Sequence, residues 1–248
     1  GVLPGLEFER GRNTFWAPEV LWHEGIYHMY VSYVRGVPYD WNWGRSIVHM
    51  TSKNLWDWKF ESILDLNSPR VIDACVFRLP NGKWRMFYKD EAKGSRTYAA
   101  DSDDLYNWTV KGPALTEYHH EGPNVFYWKN KYWAIVDSWN GQGVYSSDDG
   151  ETWTMQKSKI LDVPGTREDD GSVGHHADVL VHKDNAYIFY FTHPGRANGA
   201  QEPKPGNNTV TTYEFRRTSI QVAKLEVEGN ELKCYRDKPF DFYLDDPE

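Results

Sequence analysis

The chain repeats one pattern of polar and apolar positions four times. Each copy has a polar start, an alternating apolar run, a tight turn and a second run rich in aromatic residues. The copies are WAPEVLWHEGIYHMYVS from Trp16, IDACVFRLPNGKWRMFYKD from Ile72, EGPNVFYWKNKYWAIVDS from Glu121 and HHADVLVHKDNAYIFYFTH from His175. Their starts lie 56, 49 and 54 residues apart, a period typical of four-stranded β-propeller blades. The pattern predicts an all-β propeller with at least four blades.

Turn residues and a second repeat indicate two hairpins in each blade. The turns HEG at 23–25, PNG at 80–82, KNK at 129–131 and KDN at 183–185 contain residues that tolerate positive φ. The outer strands carry TSKNLWDWKF, DSDDLYNWTV and SSDDGETWTM, with a Trp at 58, 108 and 153. We expect these three tryptophans and Trp56 to pack between blades. No stretch has a helical period, and the Gly- and Pro-rich segment at about 194–214 is predicted to be a long loop.

Composition restricts the class of protein and of partner. The 248 residues fit one propeller domain spanning 1–248. The net charge of −8 and the lack of Lys/Arg clusters argue against nucleic acid or a membrane surface as partner. No run approaches 18 apolar residues, and the two cysteines are expected to be free thiols. Because aromatic residues make up 16% of a chain with mean hydropathy −0.73, we expect a carbohydrate partner.

The blade starts resemble those of family 43 glycoside hydrolases. The resemblance rests on WAPEV at 16–20, VIDACVF at 71–77, EGPNVF at 121–126 and GHHADV at 174–179, and it extends over nearly the whole chain. It implies a five-bladed propeller and an inverting arabinofuranosidase- or xylosidase-type activity on plant or algal polysaccharide side chains or oligosaccharides. It also implies a secreted or periplasmic protein rather than a cytoplasmic one. The sequence opens at Gly1 without a charged and apolar leader.

The resemblance also implies roles for individual residues. Glu121 matches the general acid, and Asp73 matches the carboxylate that orients this acid. Trp16 matches a wall of the substrate pocket, and Arg196 matches a sugar contact. One of His175 and His176 matches a histidine near the propeller axis, which in many members lies beside a structural calcium or a water cluster. No cofactor is required by this resemblance, and structural calcium at the axis is the one metal that it raises.

The chemistry of glycoside cleavage suits two neighbouring carboxyl groups. One protonates the leaving oxygen, and burial beside another carboxylate favours the protonated form that this step needs. Asp73 and Glu121 open successive copies of the repeat and are expected to form such a pair. Each also has a structural interpretation: Asp73 as a strand-start residue that accepts backbone amides, and Glu121 as a solvated turn residue before Gly-Pro.

Three aromatic residues in the loop VPYDWNWGRS, Tyr39, Trp41 and Trp43, have no strand pattern that would bury them together. Aromatic faces stack on the C–H surface of sugars, so this loop is a candidate subsite. The alternative is that the loop packs on the rim of the propeller.

The general base is missing from the pattern. The family has an Asp in a blade before the WAP motif, whereas the fifteen residues before Trp16 contain Glu7 and Glu9 but no Asp. We expect that a first blade precedes this chain. Two other functions remain open: a non-catalytic carbohydrate-binding propeller, and a related propeller glycosidase that acts on anhydrogalactose linkages with a histidine as acid. The sequence leaves the sugar, the linkage and the oligomeric state open.

Overall fold

A computed structural model describes residues 13–38, 40–199 and 212–244. Within them the chain forms four antiparallel sheets of four strands, each built from strands that follow one another along the chain. The first blade comprises β1 (Thr14–His23), β2 (Ile26–Val34), β3 (Ser46–Ser52) and β4 (Lys59–Ile63). The second comprises β5 (Val71–Arg78), β6 (Trp84–Asp90), β7 (Arg96–Ser102) and β8 (Thr109–Leu115). The third comprises β9 (Glu121–Trp128), β10 (Lys131–Asp137), β11 (Gln142–Ser147) and β12 (Thr154–Met155). The fourth comprises β13 (His175–His182), β14 (Asn185–Thr192), β15 (Ser219–Glu228) and β16 (Glu231–Cys234).

The all-β prediction and the four blade starts are therefore confirmed. The observed first strands begin at Thr14, Val71, Glu121 and His175, within two residues of the predicted starts. Contacts divide the chain into two compact units, Gly1–Val125 with Asp149–Trp153, and Phe126–Asp148 with Thr154–Glu248. The expectation of a single domain stays a prediction.

Each unit has its own apolar core. In the first unit, Tyr30, Ile47, Met86, Tyr88 and Ala100 are fully buried in a cluster that joins the first two blades. A second cluster of the same unit lies within the first blade around Val48. The core of the second unit is a separate cluster that includes Trp133, Ile135, Val144, Ile188 and Leu225.

The outer corners of three blades share one backbone turn, which explains the second sequence repeat. The Oδ1 atoms of Asn54, Asp104 and Asp149 each accept two backbone N–H groups, two and three residues further along the chain. The residue after each of them has a left-handed φ of +64° to +74°. Side-chain acceptors of this kind stabilise such turns locally. The Trp of each repeat follows four residues after the accepting side chain.

The tryptophans of this repeat do not all pack as predicted. Trp108 of the second blade lies edge-on against Tyr30 of the first, with ring centroids 5.5 Å apart. Trp153 lies edge-on against Phe87 of the second blade at 5.9 Å. Trp58 packs on the core of its own blade. The prediction of packing between blades is therefore wrong for Trp58, and also for Trp56, which is 87% exposed.

Short helices interrupt the predicted loop at 194–214. A 3-10 helix covers Pro194–Gly199, and α1 covers Tyr213–Arg216, where the Thr212 hydroxyl accepts the Phe215 amide at 3.4 Å. Residues 200–211 lie outside the described residues. In the described part of the chain no helix is long and apolar enough to cross a membrane. Both cysteines are free, as predicted, with Cys75 buried and Cys234 partly buried.

Candidate active site

The first strands of three blades share a β-bulge near their start. The strand pairing shifts between Trp16 and Pro18 in β1, between Ile72 and Cys75 in β5, and between His175 and Asp178 in β13. Bulges of this kind re-aim side chains and recur beside active sites. The sequence reasoning treated Asp73 and Glu121 as equivalent blade starts. This equivalence is displaced by one residue, because Asp73 corresponds to the residue after Glu121.

Backbone angles show the correct equivalence. Asp73, Gly122 and His176 all have left-handed φ angles, of +57°, +54° and +36°. Asp73 therefore corresponds to Gly122, and Glu121 corresponds to Ile72. Asp is among the few residues that tolerate this region, because its short polar side chain can form local hydrogen bonds.

The bulge leaves a backbone amide that the strand ladder does not pair. In β5 the Asp73 amide donates to the Ser32 hydroxyl of β2 at 2.9 Å. In β13 the His176 amide donates to Asp137 Oδ2 of β10 at 2.8 Å. Ser32 and Asp137 lie at the same position of the second strand of their blades, so this position supplies the acceptor for the next bulge.

The corresponding amide at the start of β9, that of Gly122, has a different kind of acceptor. Here the position that corresponds to Ser32 holds Lys89, whose ammonium group only donates hydrogen bonds. The Gly122 amide instead donates to Asp73 Oδ2 at 3.2 Å. Asp73 therefore accepts a backbone amide, as its structural interpretation predicted, and the amide belongs to the residue after Glu121.

This hydrogen bond places the two predicted catalytic carboxylates together. The Gly122 nitrogen lies two covalent bonds from the Glu121 Cα, so Asp73 Oδ2 lies within about 6 Å of that Cα. Asp73 is 5% exposed, whereas the Glu121 side chain is 26% exposed. Glu121 is thus the carboxylate of the pair that an external molecule can reach.

Lys89 lies between carboxylates inside the first unit. Its Nζ donates to Glu121 Oε2 at 3.0 Å and to Glu91 Oε1 at 3.2 Å, and its side chain is 4% exposed. Burial by itself lowers the pKa of Lys89. The neighbouring carboxylates, Glu121 first among them, outweigh burial and raise the pKa above its ordinary value. Lys89 is therefore a buried ammonium ion at neutral pH.

Arg45 extends this network to the aromatic residues. Its guanidinium pairs with Glu91 Oε2 and donates to the Trp41 carbonyl at 3.2 Å. The same guanidinium lies 5.2 Å from the Trp41 ring and 5.4 Å from the Trp16 ring, within the range of cation–π attraction. The two rings are 6.1 Å apart, and Trp41 is 73% exposed. We call Trp16 and Trp41 the aromatic platform.

Four of the predicted site residues, Trp16, Trp41, Asp73 and Glu121, thus belong to one network. The second indole of the predicted loop subsite, Trp43, is half-buried. Tyr39 lies outside the described residues. The sequence reasoning missed Arg45, Lys89 and Glu91. A signal for Lys89 was available, because it stands at the repeat position where the neighbouring blades carry an acceptor.

The remaining predicted residues belong to the second unit. His175 Nδ1 lies 3.3 Å from Asp137 Oδ2, and its ring lies 5.8 Å from that of His193. Burial lowers the pKa of His193. His176 contacts Asp137 through its backbone amide. Arg196 donates from Nε to the Phe215 carbonyl at 3.2 Å and lies 4.8 Å from that ring.

The resemblance raised a structural calcium near one of these histidines. Calcium prefers six to eight oxygen ligands. Among the described residues, no group of three or more His, Cys, Asp or Glu side chains is placed to hold a metal ion. The calcium that the resemblance raised stays a prediction, and no step below depends on it.

Sequence comparisons find no match, whereas comparison of structures does. No protein-family model matches the sequence, and no curated protein is significantly similar to it. A thermostable family 43 glycoside hydrolase is 19% identical with TM-score 0.63, over 92% of this chain and 77% of that one. A family 43 β-1,3-galactosidase with galactodeoxynojirimycin is 13% identical with TM-score 0.67, over 97% and 81%. An α-L-arabinofuranosidase from Lactobacillus brevis is 14% identical with TM-score 0.64, over 93% and 78%. The chain therefore has the β-propeller fold of the family 43 glycoside hydrolases.

Proposed function

We propose that this chain is a glycoside hydrolase in which Glu121 is the general acid. The observation that carries the proposal is the position of Glu121. Glu121 is the partly exposed member of a buried network of charged side chains. It lies near a second carboxylate, and the same network includes two tryptophans whose rings are 6.1 Å apart. Cleavage of a glycosidic bond needs a carboxylic acid that reaches the leaving oxygen while a second carboxylate serves the other half of the reaction.

Asp73 holds the start of β9 and so positions Glu121. Its carboxylate accepts the Gly122 amide, and its own amide is fixed by Ser32. Because Asp73 is buried, it acts on Glu121 through position and charge and does not contact the sugar. No described residue is assigned as the general base, which the resemblance places in a blade before β1. The inverting outcome is part of the proposal on the same ground.

The aromatic platform is the proposed sugar subsite. Trp41 is exposed and lies against Trp16, and flat aromatic faces suit the C–H surface of a neutral sugar ring. The structural neighbours include an arabinofuranosidase and a galactosidase. The first substrates to test are aryl and natural α-L-arabinofuranosides, β-D-xylosides and β-D-galactosides. His175, His176 and Arg196 are proposed as further sugar contacts.

The test compares good and poor leaving groups in Glu121→Gln. The amide keeps the shape of the side chain and removes the proton that an alkoxide leaving group needs. Turnover of natural glycosides should fall by about 10² to 10⁴, whereas activated aryl glycosides should be largely spared. The longest natural polypeptide that contains this chain is the right protein to use. Glu117→Gln, an exposed glutamate four residues earlier, is the matched control.

Equal losses on both classes of substrate would argue against the acid role of Glu121. Sugar binding without turnover of any glycoside by the parent protein would favour the non-catalytic binding propeller. A histidine acid is the other candidate, since the buried Asp137 carboxylate lies beside His175 and would orient its ring. Loss of turnover in His175→Asn together with retained turnover in Glu121→Gln would favour that enzyme class.

A further inference from the structure

We propose that Lys89 is a positioning residue that holds Glu121 in an ion pair in the empty site and releases it when a substrate separates the two side chains. This inference rests on the proposed role of Glu121 as proton donor. Lys89 then determines when Glu121 can take up the proton that it donates.

The first support is the contact itself. Lys89 Nζ lies 3.0 Å from Glu121 Oε2, and its side chain is almost entirely buried. An ammonium ion within about 4 Å favours the charged form of a carboxylate. Lys89 also contacts Glu91 at 3.2 Å. It therefore keeps a carboxylate partner when Glu121 turns toward a leaving oxygen.

The second support is the residue type at this position of the repeat, where Lys89 replaces a hydrogen-bond acceptor. Ser32 and Asp137 show that this strand position supplies the acceptor for the bulge amide of the next blade. A lysine cannot do this, and the Gly122 amide of β9 donates to Asp73 instead. The backbone therefore gives no reason for a lysine here, whereas the charge on Glu121 does.

The third support is the set of charges around Glu121. From β5 it faces Asp73, and from the end of β6 it faces Lys89 and, through Lys89, Glu91. Arg45 reaches this group only through Glu91. Without Lys89, no cation would contact Glu121 among the described ion pairs, and the buried Asp73 carboxylate would still accept the amide of the next residue.

Arg45 also connects the Lys89–Glu121 pair with the aromatic platform. Its guanidinium lies against the aromatic platform and pairs with Glu91, the second partner of Lys89. The Arg45 side chain is itself only 1% exposed, so its pair with Glu91 is already shielded from solvent. A continuous set of contacts therefore joins the platform to Lys89 and Glu121 through Arg45 and Glu91.

The test is a titration that needs no activity. The side-chain carboxyl carbons of glutamate are followed by ¹³C NMR against pH, and the Glu121 signal is assigned by its absence in Glu121→Gln. In Lys89→Met the midpoint of this signal should rise by about 1 to 3 pH units, the usual effect of an opposite charge in contact. Lys89→Arg should stay within about 0.5 unit of the parent, because it keeps the charge.

Lys83→Met is the matched control. Lys83 lies before the opposite end of β6, about 20 Å along the strand from Lys89, and it pairs with Asp103 on the surface. The Lys83→Met change removes one positive charge at a site that does not contact Glu121, so the titration midpoint of Glu121 should stay at its parent value. An unchanged midpoint in Lys89→Met, or an equal rise in Lys83→Met, would overturn the proposal.

A further variant covers the case in which Lys89→Met fails to fold. Glu91→Gln removes the competing partner of Lys89, so the Glu121 midpoint should fall, and a rise or no change would overturn the proposal. In an active protein the alkaline limb of the kcat/KM profile should move with the midpoint in each variant. A parent that hydrolyses no glycoside refutes the proposed function alone, because the titration still decides the role of Lys89.

Discussion

Acid should destabilise this protein strongly through His120, the residue before the proposed acid. His120 is completely buried. Its Nε2 accepts the Thr97 amide at 3.0 Å, and its Nδ1 lies 2.9 Å from the Tyr118 carbonyl, an acceptor. Both bonds are made only if Nε2 carries no proton and Nδ1 carries one. Burial is the main cause that lowers the pKa of His120 from its ordinary value of 6.5 to about 4.

The magnitude and sign follow from proton linkage. Between about pH 6.5 and pH 4 the unfolded chain binds a proton at His120 that the folded chain does not, so the free energy of unfolding falls as the pH falls. The difference of about 2.5 pH units, at 1.36 kcal/mol each, corresponds to about 3 kcal/mol. This contribution is present above pH 6.5 and is lost by about pH 4.

His120→Gln removes the titrating group while an amide can still accept the Thr97 N–H. Urea unfolding at pH 7, 6, 5 and 4, followed by tryptophan fluorescence, gives the free energy of unfolding of parent and variant. The variant should lose about 3 kcal/mol less than the parent over this range. His49, also buried with its pKa lowered to about 4, keeps its own contribution in both proteins.

The adjacent His119 provides the control, because it is exposed. His119→Gln should keep the pH dependence of the parent. If His120→Gln loses stability toward acid as steeply as the parent does, burial of a neutral His120 is not the source of the effect. A parent that is equally stable at pH 7 and pH 4 would refute the reasoning altogether.

Two further outcomes are expected. Asp73→Asn should lower turnover and move the alkaline limb of the pH profile downward, since Glu121 loses a like-charged neighbour, and a limb that stays in place would contradict this. Asp73→Ala should in addition be less stable than Asp73→Asn by roughly 1 kcal/mol in urea unfolding, because Ala tolerates a φ of +57° poorly. Trp108→Ala should cost about 3 kcal/mol through its contact with Tyr30, whereas Trp56→Ala should change stability by less than about 0.5 kcal/mol. Equal effects of the two Trp changes would refute the packing difference.

The blade architecture could be predicted from sequence because each copy carries its own turn chemistry. Gly25 and Gly82 mark the hairpin turns, and Asp104 and Asp149 mark the outer corners. These signals are local, so they survive without any knowledge of the tertiary contacts. Trp56 shows the limit of the same reasoning. Side chains two residues apart in a turn can point to core and solvent, and composition does not tell them apart.

The candidate site could be predicted only in part. Asp73 and Glu121 were visible because they begin repeated strands, but the bulge that offsets them by one residue is a tertiary feature. Lys89 was hidden inside an aromatic strand, where a lysine usually indicates a solvated position. Its burial depends on Glu121, 32 residues away, and on Glu91 and Arg45. No local pattern encodes those pairings.

The acceptor position held by Ser32, Lys89 and Asp137 also bears on how a duplicated chain acquires chemistry. Copies of one blade inherit one backbone, and each copy must satisfy the same unpaired amide. Lys89 cannot accept the amide at its position, and Asp73 accepts it instead. The fold therefore tolerates a lysine here, and the lysine contacts Glu121 close to Asp73. In a repeat protein, one copy can lack the usual acceptor when a neighbouring copy supplies another. Such a copy is a place where new function can arise while the fold is kept.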